Sequence, residues 1–247
     1  GRLLASGKKT RVICLDNLLT GSKRNIEHLL DNPNFEFVEA DVCSVDLRSK
    51  ISDLRYIFHL ASPASPVDYQ NHPEETLLTN SEGTLNVLKL SLKDNAKILI
   101  ASTSEIYGDP KEHPQKETYW GNVNSFGSRS CYDESKRFGE AATYVYINKY
   151  AVDARIARIF NTYGPRMRKD DGRVISNFIN QAIKNEPITI YGRGDQTRSF
   201  CFVSDMVEGI FKAMFTDKTK GEIINLGNPE ILSELLKYTG RQFEGVV

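Results

Sequence analysis

The sequence predicts an α/β fold, a doubly wound parallel sheet with a small α/β subdomain at the C-terminal end. Three observations carry this. Short apolar runs of strand length recur at 11–15, 55–60 and 98–101. Stretches with helical spacing of apolar residues lie between and after them, at 74–93 and 132–149. Several runs end in carboxylates or hydroxyls, and open parallel sheets hold their ligands at that end of the strands. The 247 residues, 40% of them hydrophobic, suit one large domain or a domain with a small appendage.

Composition excludes several classes. Lys+Arg and Asp+Glu both total 32, so the formal net charge is zero and nothing argues for a nucleic-acid surface. The four cysteines, Cys14, Cys43, Cys131 and Cys201, lack metal-ligand spacing, so no metal site is expected. Their scatter is read most simply as reduced thiols in a cytoplasmic setting. A secretory lumen, with a removed N-terminal anchor, stays open as the other location. No run of about 18 apolar residues marks a membrane span. Signal peptide, internal repeat and low-complexity segment are not recognised.

Taken in order, residues 1–7 read as the tail of a helix with Gly7 as its C-cap. Residues 11–16 form a strand ending in Asp16. In dinucleotide-binding folds, an acid ending the second strand bonds the ribose hydroxyls, about 20 residues after a glycine-rich turn. No such turn lies upstream of Asp16, so the first strand and glycine loop are expected to precede residue 1. Taken singly, Asp16 is equally well a turn residue. Residues 34–41 alternate apolar and polar, a strand ending at Asp41. Residues 55–60 form the next strand. Its His59 has apolar neighbours and reads as a packed histidine, and the small residues after it allow a ligand close to the backbone.

The strand 98–101 leads into Ser102-Thr103-Ser104-Glu105. Farther on, Tyr132 and Lys136 stand four residues apart on a helix, so both project from one face. An ammonium ~4 Å from a phenol, at an effective dielectric of ~20, favours the phenolate by about 4 kcal/mol. That is roughly 3 pKa units, enough to bring a tyrosine toward neutrality. Tyr132 is then a base, with Thr103 or Ser104 holding the alcohol it acts on. Tyr-x-x-x-Lys alone is an ordinary helix face; the preceding strand end makes it a site.

Residues 111–124, with Trp120, form a polar and aromatic loop that is expected to close over a ligand. A strand at 153–160 ends in Asn161, and there the parallel-sheet pattern stops. A helix over 171–183, a short strand at 188–192 and a helix opening at Ser204 as N-cap follow. Arg173 and Arg198 suit a diphosphate, because a guanidinium fork donates two hydrogen bonds at once. Singly, each reads as a surface charge. Past Glu230 no pattern is recognised.

The strings Ala-Ser-Thr-Ser-Glu-Ile-Tyr-Gly-Asp-Pro (101–110) and Arg-Ser-Cys-Tyr-Asp-Glu-Ser-Lys-Arg (129–137) resemble the UDP-glucuronate decarboxylase (UDP-xylose synthase) branch of the extended short-chain dehydrogenase/reductase family. The similarity runs from about Arg11 to about Pro229. Ser135 departs from it, standing where the branch has glycine.

The resemblance implies a Rossmann-like NAD-binding domain at 1–165. It implies an interleaved, incomplete substrate-binding subdomain at 166–247. It places Thr103, Glu105, Tyr132 and Lys136 in catalysis. Asp16, Asn17, Thr20, Gly21, Asp41, Val42, Leu60, Ala61 and Ser62 join Tyr132 and Lys136 around NAD, with Asp16 disfavouring the extra phosphate of NADP. Ser104, Arg129, Asn161, Arg173, Tyr191 and Arg198 contact a UDP-sugar. The implied reaction is oxidative decarboxylation of UDP-glucuronate to UDP-xylose through a 4-keto intermediate. A nucleotide-sugar 4-epimerase or 4,6-dehydratase is the nearer alternative, and a non-catalytic NAD-binding protein the farther one. A homodimer through the helices near 74–93 and 132–149 is also implied.

Overall fold

The computed structural model describes residues 1–6, 10–44, 51–190 and 197–229. Among the described residues, eight parallel strands fall into three hydrogen-bonded groups. The first group pairs β1 (Val12–Asp16) with β2 (Phe35–Glu39). The second has four strands in the order β3 (Tyr56–His59), β4 (Lys97–Thr103), β5 (Ala154–Ile159) and β8 (Ile223–Leu226). The third pairs two-residue strands, β6 (Thr162–Tyr163) and β7 (Cys201–Phe202). Among the described residues, no ladder joins β1 to β3.

The helices are α1 (Pro66–Asn71), α2 (Pro73–Leu78), α3 (Thr84–Asp94), α4 (Ser130–Tyr150), α5 (Val174–Ile183) and α6 (Val203–Phe215). They cover both faces of the central sheet, and the alternation of side chains along β4 shows how. Ile98 and Ile100 join Val87, Leu88 and Tyr146 of α3 and α4 in one apolar cluster. Leu99 points the other way, into a cluster with Ala213 and Met214 of α6. A strand buried on both faces is apolar throughout, which is why 98–101 reads as a continuous run. This is the doubly wound, Rossmann-like arrangement expected.

Several boundaries differ from expectation. The helix expected over 74–93 is broken by a π-helical turn, Thr79–Gly83, between α2 and α3. The wider turn turns Asn80 inward, where its amide donates to Ser135 Oγ on α4 at 3.1 Å. Ser135 is itself buried and donates to the carbonyl of Tyr132 at 3.1 Å, so a small hydroxyl is well accommodated there. Residues 188–190 form no strand. Helix α6 begins one residue before Ser204, with Phe202 at the cap position, and Ser204 donates to Asp205. The chain opens with a 3-10 turn, Leu4–Ser6, and Gly7 lies outside the described residues.

Candidate active site

Parallel pairing brings the C-terminal ends of the strands together. Asp16 lies beside Glu39, His59 beside Ile100, and Thr103 beside Ile159. Three groups of predicted residues assemble along this edge.

The first is the reacting group. Thr103 ends β4 and caps the 3-10 turn Ser104–Tyr107, its Oγ1 accepting from the Glu105 amide at 3.2 Å. Tyr132 and Lys136 project from the first turns of α4, and all three side chains are buried. Thr103 acts on the Tyr132 hydroxyl, opposing the rise that burial causes. Lys136 lies over the Tyr132 ring, 5.7 Å from its centroid, and donates to the Ala101 carbonyl at 2.9 Å. Glu105 accepts a hydrogen bond from Arg129, one residue before α4. Ser104 donates to the other oxygen of Glu105 at 3.4 Å. Arg129 is therefore engaged with Glu105 and, at 3.6 Å, with Asp133.

The electrostatics correct one expectation. Burial pushes Tyr132 up to about 12; the Thr103 hydrogen bond and the Arg173 guanidinium act against it, and Asp133 adds to the rise. Lys136 is pushed down to about 8 by burial. In this state the cost of placing a phenolate in a dry site outweighs the cations around it. Burial thus moves Tyr132 away from neutrality, opposite to the direction expected. His59 is buried, pushed down to about 3 by burial and by Lys136, and paired through Nε2 with Thr84 Oγ1 at 3.1 Å. It is a packed neutral histidine, as expected.

The second group lies at the ends of β1 and β2. Asp16 Oδ1 accepts from the Leu18 amide at 2.7 Å, which bends the chain at a left-handed Leu18, φ 57°. A Cβ at Gly21 would sit 3.2 Å from the same oxygen, so glycine lets the loop lie against this carboxylate. Asn17 Nδ2 donates to Asp41 Oδ2 at 2.9 Å. Burial would raise the Asp41 carboxyl, but hydrogen bonds from the Cys43 amide and from Asn17 hold it below its usual range. Val42 is buried, packed where a Cβ on Gly83 would stand. Leu60, Ala61 and Ser62 follow β3, with Leu60 exposed and Ser62 hydrogen-bonded to the Pro63 carbonyl. Ser62 and Thr20 line one cavity of about 570 Å³ with Arg166, Arg168 and Arg173. An exposed carboxylate at a strand end, with glycine beneath it, fits the vicinal hydroxyls of a ribose.

The third group is Asn161, Arg173 and Arg198, which line a smaller cavity of about 220 Å³ with Tyr163 and Phe200. Neither cavity wall includes Tyr132, Thr103 or Glu105. Arg173 joins both cavities to the reacting group. It grips Asp171 through two bonds, 2.5 and 2.8 Å, and its charge reaches Tyr132. Tyr191 lies outside the described residues.

The loop 111–124 is held to the body at several points. Arg137 donates to the carbonyls of Ile106 and Trp120, at 3.0 and 2.9 Å. Arg158 donates to the Glu117 carbonyl at 2.9 Å, and Asn225 bonds Gln115 and Glu117. At Gly108, φ +64°, a Cβ would stand 2.2 Å from the Asn122 carbonyl, so the loop returns tightly onto its own start. These bonds hold the loop to the body.

Sequence reasoning missed a buried network below the site. Arg158 of β5 pairs with Glu140 of α4 through bonds of 3.0 and 2.8 Å, and Ser102 donates to Glu140 at 2.5 Å. The signal was an arginine inside a buried strand, which demands a carboxylate nearby. Tyr69, stacked on Tyr132, was missed as well.

The model of the NAD dependent epimerase/dehydratase family matches residues 2–227. The chain belongs to this family. UDP-glucuronic acid decarboxylase 4 of Arabidopsis thaliana is 53% identical over 231 residues, covering 92% of this chain and 50% of that protein. UDP-glucuronic acid decarboxylase 6 of the same plant is 49% identical, covering 95% of this chain and 69% of that protein. The chain thus spans about half the length of several curated relatives that it matches. Within the family, a solved structure of UDP-glucuronic acid 4-epimerase from Bacillus cereus, in complex with UDP-glucuronic acid and NAD, superposes with a TM-score of 0.84 at 27% identity. That match covers 99% of this chain and 80% of the other. Among the described residues, no helix is long and apolar enough to cross a membrane, and no cluster of His, Cys, Asp and Glu could hold a metal.

Proposed function

We propose that the protein catalyses NAD-dependent oxidative decarboxylation of UDP-glucuronate to UDP-xylose. The observation that carries the reading is the joining of two units. Thr103, Tyr132 and Lys136 form one, and Glu105, held by Arg129 and Ser104, lies two residues from Thr103. Decarboxylases that are about half identical over nine-tenths of the chain support it.

The residues divide the work. Asp16, Asn17, Thr20, Gly21, Asp41 and Val42 hold the adenosine side of NAD, and Leu60, Ala61 and Ser62 border its path to Tyr132 and Lys136. When bound, NAD supplies reversible oxidation at carbon 4 of the sugar. Tyr132 takes the carbon-4 hydroxyl proton, with Thr103 orienting that hydroxyl. The ketone so formed is β to the ring-attached carboxylate. Carbon dioxide therefore leaves with its electrons taken into an enolate, and the ketone is the electron sink. Glu105 manages the proton at carbon 5, and Ser104 and Arg129 lie on the carboxylate side. Asn161, Arg173 and Arg198 hold the UDP portion. Residues 1–165 act as the cofactor half and 166–247 as the interleaved substrate half. A homodimer through α2, α3 and α4 is supported by exposed apolar side chains there, Leu77, Phe138, Tyr144 and Val145.

The test is a product assay with UDP-glucuronate and NAD. Carbon dioxide and UDP-xylose are expected in equal amounts. A carboxylate-bearing epimer as the product would favour the 4-epimerase reading, which the Bacillus cereus structure keeps in view.

A further inference from the structure

Tyr69 has no part in the scheme above, yet its ring stacks on that of the proposed base. It lies on α1, and its side chain is 2% exposed. Its ring stacks on Tyr132 with centroids 5.0 Å apart and planes 10° from parallel. Such near-parallel packing of two buried rings is a specific arrangement, favourable beyond the area it covers.

Tyr69 is itself fixed from several sides. Ser65 caps α1, accepting from the Asp68 amide at 3.1 Å, and Pro66 opens it. The Tyr69 carbonyl accepts from Cys131 Sγ at 3.5 Å, which ties α1 to the first turn of α4. Burial raises the Tyr69 hydroxyl, and the guanidinium of Arg129, the residue that also grips Glu105, acts against that rise. Tyr69 is thus anchored through its backbone, and its ring is held against Tyr132.

We propose that Tyr69 is a positioning residue that holds the Tyr132 ring in its productive orientation, resting on the assignment of Tyr132 as the base. A tyrosine side chain turns about two bonds, and the Tyr132 hydroxyl must stay on Thr103 to meet the substrate alcohol. Stacking over one face of the ring removes the rotations that would carry the hydroxyl away. The cost of losing it falls on the chemical step, because a misplacement of about 1 Å at a reacting atom costs about a hundredfold in rate. The Tyr69 side chain is not in the wall of either cavity assigned to the UDP portion, so binding of that portion is expected to change little.

The test compares Tyr69→Leu and Tyr69→Phe in the NAD-loaded protein, with Tyr132→Phe run alongside. For Tyr69→Leu, kcat is expected to fall by about tenfold to a hundredfold at unchanged KM and unchanged NAD binding. Tyr69→Phe keeps the stacked ring and is expected to restore kcat. If Tyr69→Leu fails to fold, Tyr69→Met, which fills the space with a flexible chain, makes the same comparison. A lowered melting temperature with kcat unchanged would overturn the proposal, leaving Tyr69 as packing only. Equal slowing by Leu and Phe would also overturn it, since the hydroxyl and not the stack would then act. Full turnover by Tyr132→Phe would remove the base assignment itself, and the proposal with it. Loss of turnover there, with full turnover in Tyr69→Leu, overturns the positioning alone.

Discussion

Arg129 donates a hydrogen bond to Glu105, tying the turn after β4 to the residue that precedes α4. The bond joins the residue assigned to the later steps to the element that carries Tyr132. It also fixes which property of Glu105 is testable. Glu105→Gln keeps the size and a hydrogen-bond acceptor but removes the charge and the proton transfer. NAD is expected to stay bound and UDP-xylose formation to drop by roughly 10²–10⁴, the usual share of acid–base catalysis. Melting temperature and product formation measured side by side decide the matter. A lowered melting temperature with intact turnover would make Glu105 structural.

Tyr132→Phe removes the phenolic proton acceptor and keeps the ring stacked on Tyr69. Folding is expected to survive, and turnover to fall by roughly 10²–10⁴. Near-normal kcat would show that another group is the base.

Arg173 gives a prediction in pH. Its guanidinium lowers Tyr132, which burial has pushed up to about 12. Removing that charge in Arg173→Leu raises Tyr132 further. The rise of kcat with pH, which tracks deprotonation of the base, is therefore expected to move to higher pH. A pH–rate profile that does not move, or moves lower, would separate Arg173 from the base and leave it a ligand contact only.

The site was partly legible because its reacting residues are close in the chain. Tyr132 and Lys136 share one helix face, and Thr103 ends an apolar run. What distant segments contribute was not legible. Tyr69 meets Tyr132 only because α1 docks on α4, and Arg158 meets Glu140 only because β5 lies beneath that helix. The direction of the Tyr132 shift was missed for the same reason. A sequence displays the cation beside the phenol, but the dryness of the site arises from the packing of several elements. The helix break at Thr79–Gly83 contains no proline, and it brings Asn80 to Ser135, a partner from a distant segment.

Asp16 tests the cofactor side. Its exposed carboxylate stands at the end of β1, over Gly21. Asp16→Ala is expected to weaken NAD by about tenfold to a hundredfold, in keeping with about 1.5–3 kcal/mol for a hydrogen bond to a charged group. UDP-glucuronate binding should change little. Calorimetry with each ligand separates the two, and equal weakening of both would make Asp16 a structural turn residue.

The most direct measurement of the central claim follows the substrate carboxylate. UDP-glucuronate labelled in that group is incubated with the NAD-loaded protein, and both the released gas and the sugar nucleotide are analysed. The account predicts that the label leaves as carbon dioxide, matched by UDP-xylose. Label retained in a UDP-hexuronate, with carbon 4 inverted or unchanged, would contradict it.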